Sequence, residues 1–190
     1  MNSSQTNVLL VGSEGTGKHV ISKCLIDMGK AINLKVLTCT CLPLPDNRDL
    51  SDENIHFVCF TMHMANKDSM KGLVTSMGQL DVSYFIGKSI IVANTKGQCT
   101  DEGVERTQLK NLATKCDIQV LFCDTEEQAE KIELCRKLMR MIECAVGWKK
   151  NATPLLFDSV QVSTDPDYSL ATDRKSSGKT PQTPQLASLQ

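Results

Sequence analysis

The stretch VLLVGSEGTGKHVISKCL, Val8 to Leu25, decides the fold. Val8 to Val11 is an all-apolar run of the kind that fills a strand buried on both faces of a parallel sheet. Gly12, Gly15 and Gly17 then open a turn. From Lys18 to about Lys30 the apolar residues Val20, Ile21, Cys24, Leu25 and Met28 predict one buried helix face, with Gly29 as a stop. The turn itself spells G-x-x-x-x-G-K. In that pattern backbone N–H groups wrap phosphates, and the helix N-terminus adds a favourable field.

Working outward, strand and helix patterns alternate. Strands are expected at Leu34–Leu42, Ile55–Met62 and Ile118–Asp124, with a strand and turn over Lys88–Gln98. Helices are expected over Lys67–Leu80, on Met70, Leu73, Val74, Met77 and Leu80, and over Glu102–Cys116. A last helix, Glu126–Trp148, carries Ala129, Ile132, Cys135, Met139, Ile142 and Val146 as its stripe. The alternation predicts an α/β domain: a mostly parallel, P-loop-type sheet with helices on both faces. Any ligand crevice then lies at the carboxyl ends of the strands.

The boundaries follow from composition. Residues 1–7 form a polar, flexible start, 8–150 the α/β domain, and 151–160 a short apolar extension. Residues 161–190 are rich in Ser, Thr, Pro, Asp and Gln, too poor in apolar surface to offset ordering entropy, and are expected to be disordered. Thr180-Pro181, Thr183-Pro184 and Arg174 ahead of Ser177 resemble kinase sites there.

The bulk numbers exclude several classes. A net charge of -1 leaves no basic field for nucleic acid or an anionic membrane. No apolar run approaches a membrane span, and the start lacks signal-peptide organisation. Nine cysteines, an odd number scattered through apolar patterns, read as reduced core thiols of an intracellular protein. Cys39 and Cys41 form the one close pair, and His19, His56 and His63 stand at no ligand spacing from it, so no metal is expected.

The loop departs from a working nucleotide site in three places. A hydroxyl should follow Lys18 to ligate Mg²⁺, and His19 stands there instead. A carboxylate should end the strand beside the first, where Thr61, Met62, His63 and Met64 stand. Asp124 ends the fifth strand, which a sheet ordered 2-3-1-4-5 keeps away from the first. Guanine recognition needs N-K-x-D, and the chain has Asn94-Thr95-Lys96-Gly97. Gly12, Gly15 and Gly17 are therefore read as a tight strand-to-helix turn, with metal-free anion binding at Lys18 left open. The rival reading is a divergent small GTPase or ATPase using Gly12–Lys18.

Several stretches together carry a resemblance: VLLVGSEGTG, the loop LPLP, IHFVCFTMHMANKDS and above all QLDVSYFIGKSIIVA, Gln79 to Ala93. On these, most of Val8 to Val146 resembles the centromere protein M family. The resemblance implies a small-GTPase-like fold with degenerate nucleotide motifs, no cofactor and no catalysis. It implies a structural role in the constitutive centromere-associated network of the inner kinetochore, in the nucleus, serving chromosome segregation in mitosis. It implies centromere protein I as nearest partner, with centromere proteins H and K. The loop of this chain is closer to a complete phosphate-binding loop than that family leads one to expect. Two apolar patches are candidates for partner contact: Tyr84 and Phe85 in a chain poor in aromatics, and Leu155, Leu156 and Phe157.

Overall fold

The computed structural model describes residues 5–31, 33–44, 53–97 and 104–147. Five strands form one sheet: β1 (Thr6–Val11), β2 (Leu34–Cys39), β3 (Ile55–His63), β4 (Ser89–Asn94) and β5 (Gln119–Cys123). Four helices accompany them: α1 (Lys18–Met28), α2 (Lys67–Met77), α3 (Arg106–Cys116) and α4 (Gln128–Ala145). All four ladders are parallel. β1 starts at Thr6, ahead of its apolar run, and both Thr6 and Asn7 are buried.

The strand order is β2-β1-β3-β4-β5, which corrects the expected 2-3-1-4-5. β1 lies between β2 and β3 and is buried along its whole length. A uniformly apolar strand fits beside any neighbour, so its own sequence does not say which two it takes. The ladder from β1 to β3 contains a bulge at His56, whose Nδ1 accepts the Asn7 N–H at 3.2 Å.

Side chains alternate across the sheet and build two cores. Val8 and Leu10 join Ile21 and Leu25 of α1 and Leu134, Cys135 and Leu138 of α4 on one face. Leu9 and Val11 join Leu73 and Met77 of α2 and Leu109 of α3 on the other. Right-handed crossovers explain the division: the chain steps one way from β1 to β2 and the opposite way from β3 onward, so the connecting helices change face. The order reverses beside β1, and the Gly12–Lys18 loop leaves the sheet at this switch point.

The helix stripes shift from those expected. In α1 Ile21 and Leu25 carry the burial, while Val20 and Met28 are exposed. In α2 Val74 is exposed. In α4 the buried row is Leu134, Cys135, Leu138, Met139, Met141, Ile142 and Cys144, while Ala129 and Ile132 face solvent. That helix is apolar over a wide arc, and packing against α1 selects the centre of it. At the start of α2, Asn66 accepts the Asp68 N–H at 2.8 Å, the side-chain cap its position calls for. Leu155, Leu156, Phe157 and the boundaries at 151–160 and 161–190 lie outside the described residues.

Candidate functional site

The loop after β1 is held by its own residues. Gly12 sits against β3: a Cβ there would lie 2.1 Å from Thr61 Oγ1 and 2.3 Å from the Thr61 carbonyl oxygen. Only glycine allows that approach. Its N–H donates to the Cys39 carbonyl at 3.1 Å, tying the loop to β2 as well. Gly17, which precedes α1, has φ +87°, and a Cβ there would meet Thr125 Oγ1 at 2.7 Å. The glycine path of a phosphate-binding loop is thus present, with Gly15 also in the left-handed region at φ +78°.

Two polar side chains of the loop, Thr16 and Lys18, point inward. Lys18 is 4% exposed, and its Nζ donates to the Gly12 carbonyl at 2.6 Å and the Ser13 carbonyl at 3.3 Å. Thr16 Oγ1 donates to the Ser13 carbonyl at 2.9 Å and lies 2.9 Å from Thr61 Oγ1. Thr61 Oγ1 also lies 3.3 Å from the Val11 carbonyl, to which it donates, so the two hydroxyls share two protons among three contacts. Ser13 Oγ donates to Ser69 Oγ at 3.4 Å, and Ser69 Oγ in turn accepts the His63 N–H at 3.0 Å. The loop is therefore stitched to β3 and to α2.

The crevice beside the loop encloses about 470 Å³ and is walled by the ends of four strands. The loop after β1 gives Gly15, Gly17, Lys18, His19 and Val20; His63 comes from β3, Asn94 from β4, and Lys96, Gly97, Thr125 and Glu126 from the loops after β4 and β5. This is the carboxyl-end location expected of the fold. Asn94 Nδ2 donates to Thr125 Oγ1 at 2.9 Å, and Asn94 Oδ1 accepts the Lys96 N–H at 3.1 Å. Lys96 pairs with Glu126 across the rim. The Asn94–Thr125 bond and the Gly17–Thr125 contact join the two sides of the crevice.

A nucleotide with Mg²⁺ fits these residues poorly. His19, exposed where the metal's hydroxyl ligand belongs, is a nitrogen donor for an ion that favours oxygen. The neighbours of β1 are β2 and β3. β2 ends at Cys39, followed by Thr40 and Cys41, and β3 ends in Thr61, Met62 and His63. Neither strand brings a carboxylate to the loop. Burial pushes the Cys39 thiol up to about 11, with Cys41 adding to the rise and Lys18 opposing it. Asp124 follows β5, two strands beyond β3, and its backbone N–H donates to Glu130. Asp68 is exposed on α2 and paired with Lys71, whose ammonium holds the carboxyl below its usual range.

The Tyr84–Phe85 patch has a different character from the one the sequence suggests. A 3-10 turn spans Val82–Tyr84. Both rings pack against the core, and the Tyr84 hydroxyl donates to the Ile55 carbonyl at 3.2 Å. The apolar side chains the segment exposes are Val82 and Ile86.

Sequence reasoning missed Thr16, Thr61 and Thr125, the three hydroxyls that fasten the loop. Thr16 and Thr61 are 45 positions apart, and no local pattern links them. The one available signal is Gly12, a glycine at the very end of an apolar strand, which marks a close approach by something.

Fold and site together define the class: a doubly wound α/β domain of small-GTPase-like arrangement, with a glycine loop at the switch point of its sheet. A sequence profile of the Centromere protein M (CENP-M) family matches residues 2–164. Among curated proteins the chain is 26% identical to centromere protein M of Xenopus laevis over 157 residues, covering 83% of this chain and 87% of that one. It is 25% identical to centromere protein M of Homo sapiens over 140 residues, covering 74% and 77%. The chain belongs to the centromere protein M family, and is thus a centromere protein.

Proposed function

We propose that this chain is a non-catalytic, GTPase-shaped scaffold of the inner kinetochore. It docks a larger centromere subunit, centromere protein I, in an assembly with centromere proteins H and K, and through it supports centromere assembly and chromosome segregation. The observation that carries the reading is that, among the described residues, no carboxylate stands at the ends of the two strands flanking β1. Phosphoryl transfer on this kind of loop works by positioning and charge neutralisation through a held metal ion. Among the described residues, the carboxylate and the hydroxyl after Lys18 that normally fix this ion are both missing from their places. Restoring a hydroxyl alone, in His19→Ser, leaves the carboxylate missing.

Thermal unfolding with and without GTP or ATP plus Mg²⁺ tests the reading, run beside co-elution of the purified chain with centromere protein I. A tight ligand at a thousandfold over its dissociation constant stabilises by about 4 kcal/mol. The scaffold reading expects no such shift, together with co-elution. A large Mg²⁺-dependent shift would replace it with the alternative, a divergent small GTPase or ATPase working from Gly12–Lys18. The crevice, at about 470 Å³, has the volume of a small-molecule site, which is why that arm is needed.

A further inference from the structure

The described cysteines all carry free thiols, and they are not spread evenly. Cys59 of β3, Cys123 of β5 and Cys135 of α4 are buried on the sheet face that α1 and α4 cover, and Cys24 of α1 packs half-buried against that core. Cys39 and Cys116 pack on the opposite face, and Cys41 is exposed. Within the first group, two thiols meet across the seam between helices. The Cys135 thiol is in hydrogen-bond contact with the Cys24 sulfur. Cys24 stands beside Leu25 on α1, and Cys135 beside Leu134 on α4, in the one apolar cluster where these helices pack together. The Cys24 S–H donates to Met28 Sδ at 4.0 Å, which leaves the Cys24 lone pairs for its neighbour. Two thiols in such contact have to close by only about 2 Å to reach a covalent S–S distance.

We propose that Cys24 and Cys135 form an oxidative modification site, which a peroxide converts to a disulfide that pins α1 to α4. Exposure sets their roles. Cys24 is within reach of solvent, whereas Cys135 is fully buried. Burial pushes the Cys135 thiol up, and its bond to Cys24 adds to the rise, so Cys135 keeps its proton until its neighbour has reacted. Cys24 therefore meets the oxidant. Its thiolate attacks one oxygen of hydrogen peroxide, the O–O bond breaks, and the departing hydroxide takes up the proton that Cys24 gave away, as water. Cys24 now carries a sulfenic acid. The Cys135 sulfur attacks Cys24 Sγ, the S–O bond breaks, and the departing hydroxide takes the Cys135 proton as a second water. Two thiols lose two electrons, and one peroxide becomes two waters. A resolving thiol already in contact favours the disulfide over further oxidation of Cys24. The site is independent of the scaffold reading. Because α1 begins at the glycine loop, the bond also anchors the helix that the loop enters.

The test treats the full, purified and folded chain with hydrogen peroxide, blocks the remaining thiols by alkylation, and maps the products by mass spectrometry. The expected product is a pair of peptides linked through Cys24 and Cys135, separated again by dithiothreitol. The linked chain should unfold about 5 °C or more above the reduced one, because the bond closes a long loop in the unfolded chain. Cys24→Ala, at a half-buried position, should remove both the link and the rise. Cys135→Ala should leave Cys24 as a sulfenic acid that dimedone traps. Cys41→Ser, at the exposed thiol, should change neither readout. Cys24 carried to the sulfinic acid with Cys135 still free overturns the proposal. So does a bond from Cys24 to Cys59 or Cys123, or a chain whose thiols all stay free. A Cys24–Cys135 bond that leaves the unfolding temperature unchanged overturns the pinning of α1 to α4.

Discussion

The Gly12–Lys18 loop and the Asp81–Lys88 segment are opposites. The loop has a recognisable motif and turns two of its polar side chains on itself: the Lys18 ammonium on Gly12 and Ser13, and the Thr16 hydroxyl on Ser13, beside the Thr61 hydroxyl. The segment has no general motif, packs its half-buried aromatic rings against the core, and directs Val82 and Ile86 into solvent. A motif records a backbone path. Whether that path serves a ligand depends on where its donors and acceptors go, and here the Thr16 and Lys18 side chains turn onto the loop's own carbonyls.

The comparison breaks most easily at Gly12. In Gly12→Ala the new methyl meets the Thr61 side chain and backbone at once, and the backbone cannot swing aside. Overpacking of this kind costs about 3 kcal/mol, read as a lower urea midpoint at constant slope. A neutral Gly12→Ala would show that the loop and β3 are not in contact as described.

Lys18→Met comes next. It removes an ammonium that satisfies two carbonyls at a nearly buried site. A structural lysine predicts a loss of about 2 kcal/mol in chemical denaturation, without any nucleotide present. A lysine kept for phosphate predicts unchanged or raised stability of the unliganded protein, so this variant separates the two roles.

Thr16→Val and Thr125→Val each delete one buried hydroxyl, and each should cost about 1 kcal/mol by thermal unfolding. A double Thr16→Val, Thr61→Val variant should lose less than the sum of its singles, because the two share a bond. Additive losses would mean that the hydroxyls act separately.

The smallest stability effect belongs to the segment. Val82→Asp, at an exposed position on a braced turn, should stay within about 0.5 kcal/mol of parental stability. A larger loss would show Val82 to be part of the core, and the contrast between the two regions would fail. His19→Ser should leave GTP hydrolysis at background, and measurable turnover would overturn the reading of the loop.

Much of the fold was legible because the signals are local. Val8–Val11 and Ile55–Met62 read as buried strands from apolar composition alone, and both are. Helix positions came from 3.6-residue spacing, but which side of a broadly apolar helix faces inward did not. Ile132 and Val74 are exposed for that reason, while Leu134 and Leu138, outside the expected stripe, are buried. The crevice was placed at the strand ends from one glycine loop. Its fastening by Thr16, Thr61 and Thr125 was invisible, because a hydroxyl in a sequence does not announce its partner.

By itself the sequence determined the succession of strands and helices, the glycine path after β1, and the absence of a hydroxyl after Lys18. These depend on backbone sterics and short-range periodicity, which neighbouring residues set. Tertiary structure alone decided that β1 lies between β2 and β3, that Lys18 turns back on its own loop, and that Val82 and Ile86 stand in solvent while Tyr84 and Phe85 pack half-buried against the core. Each depends on groups far apart in the chain, brought within hydrogen-bond or van der Waals distance only when the sheet assembles.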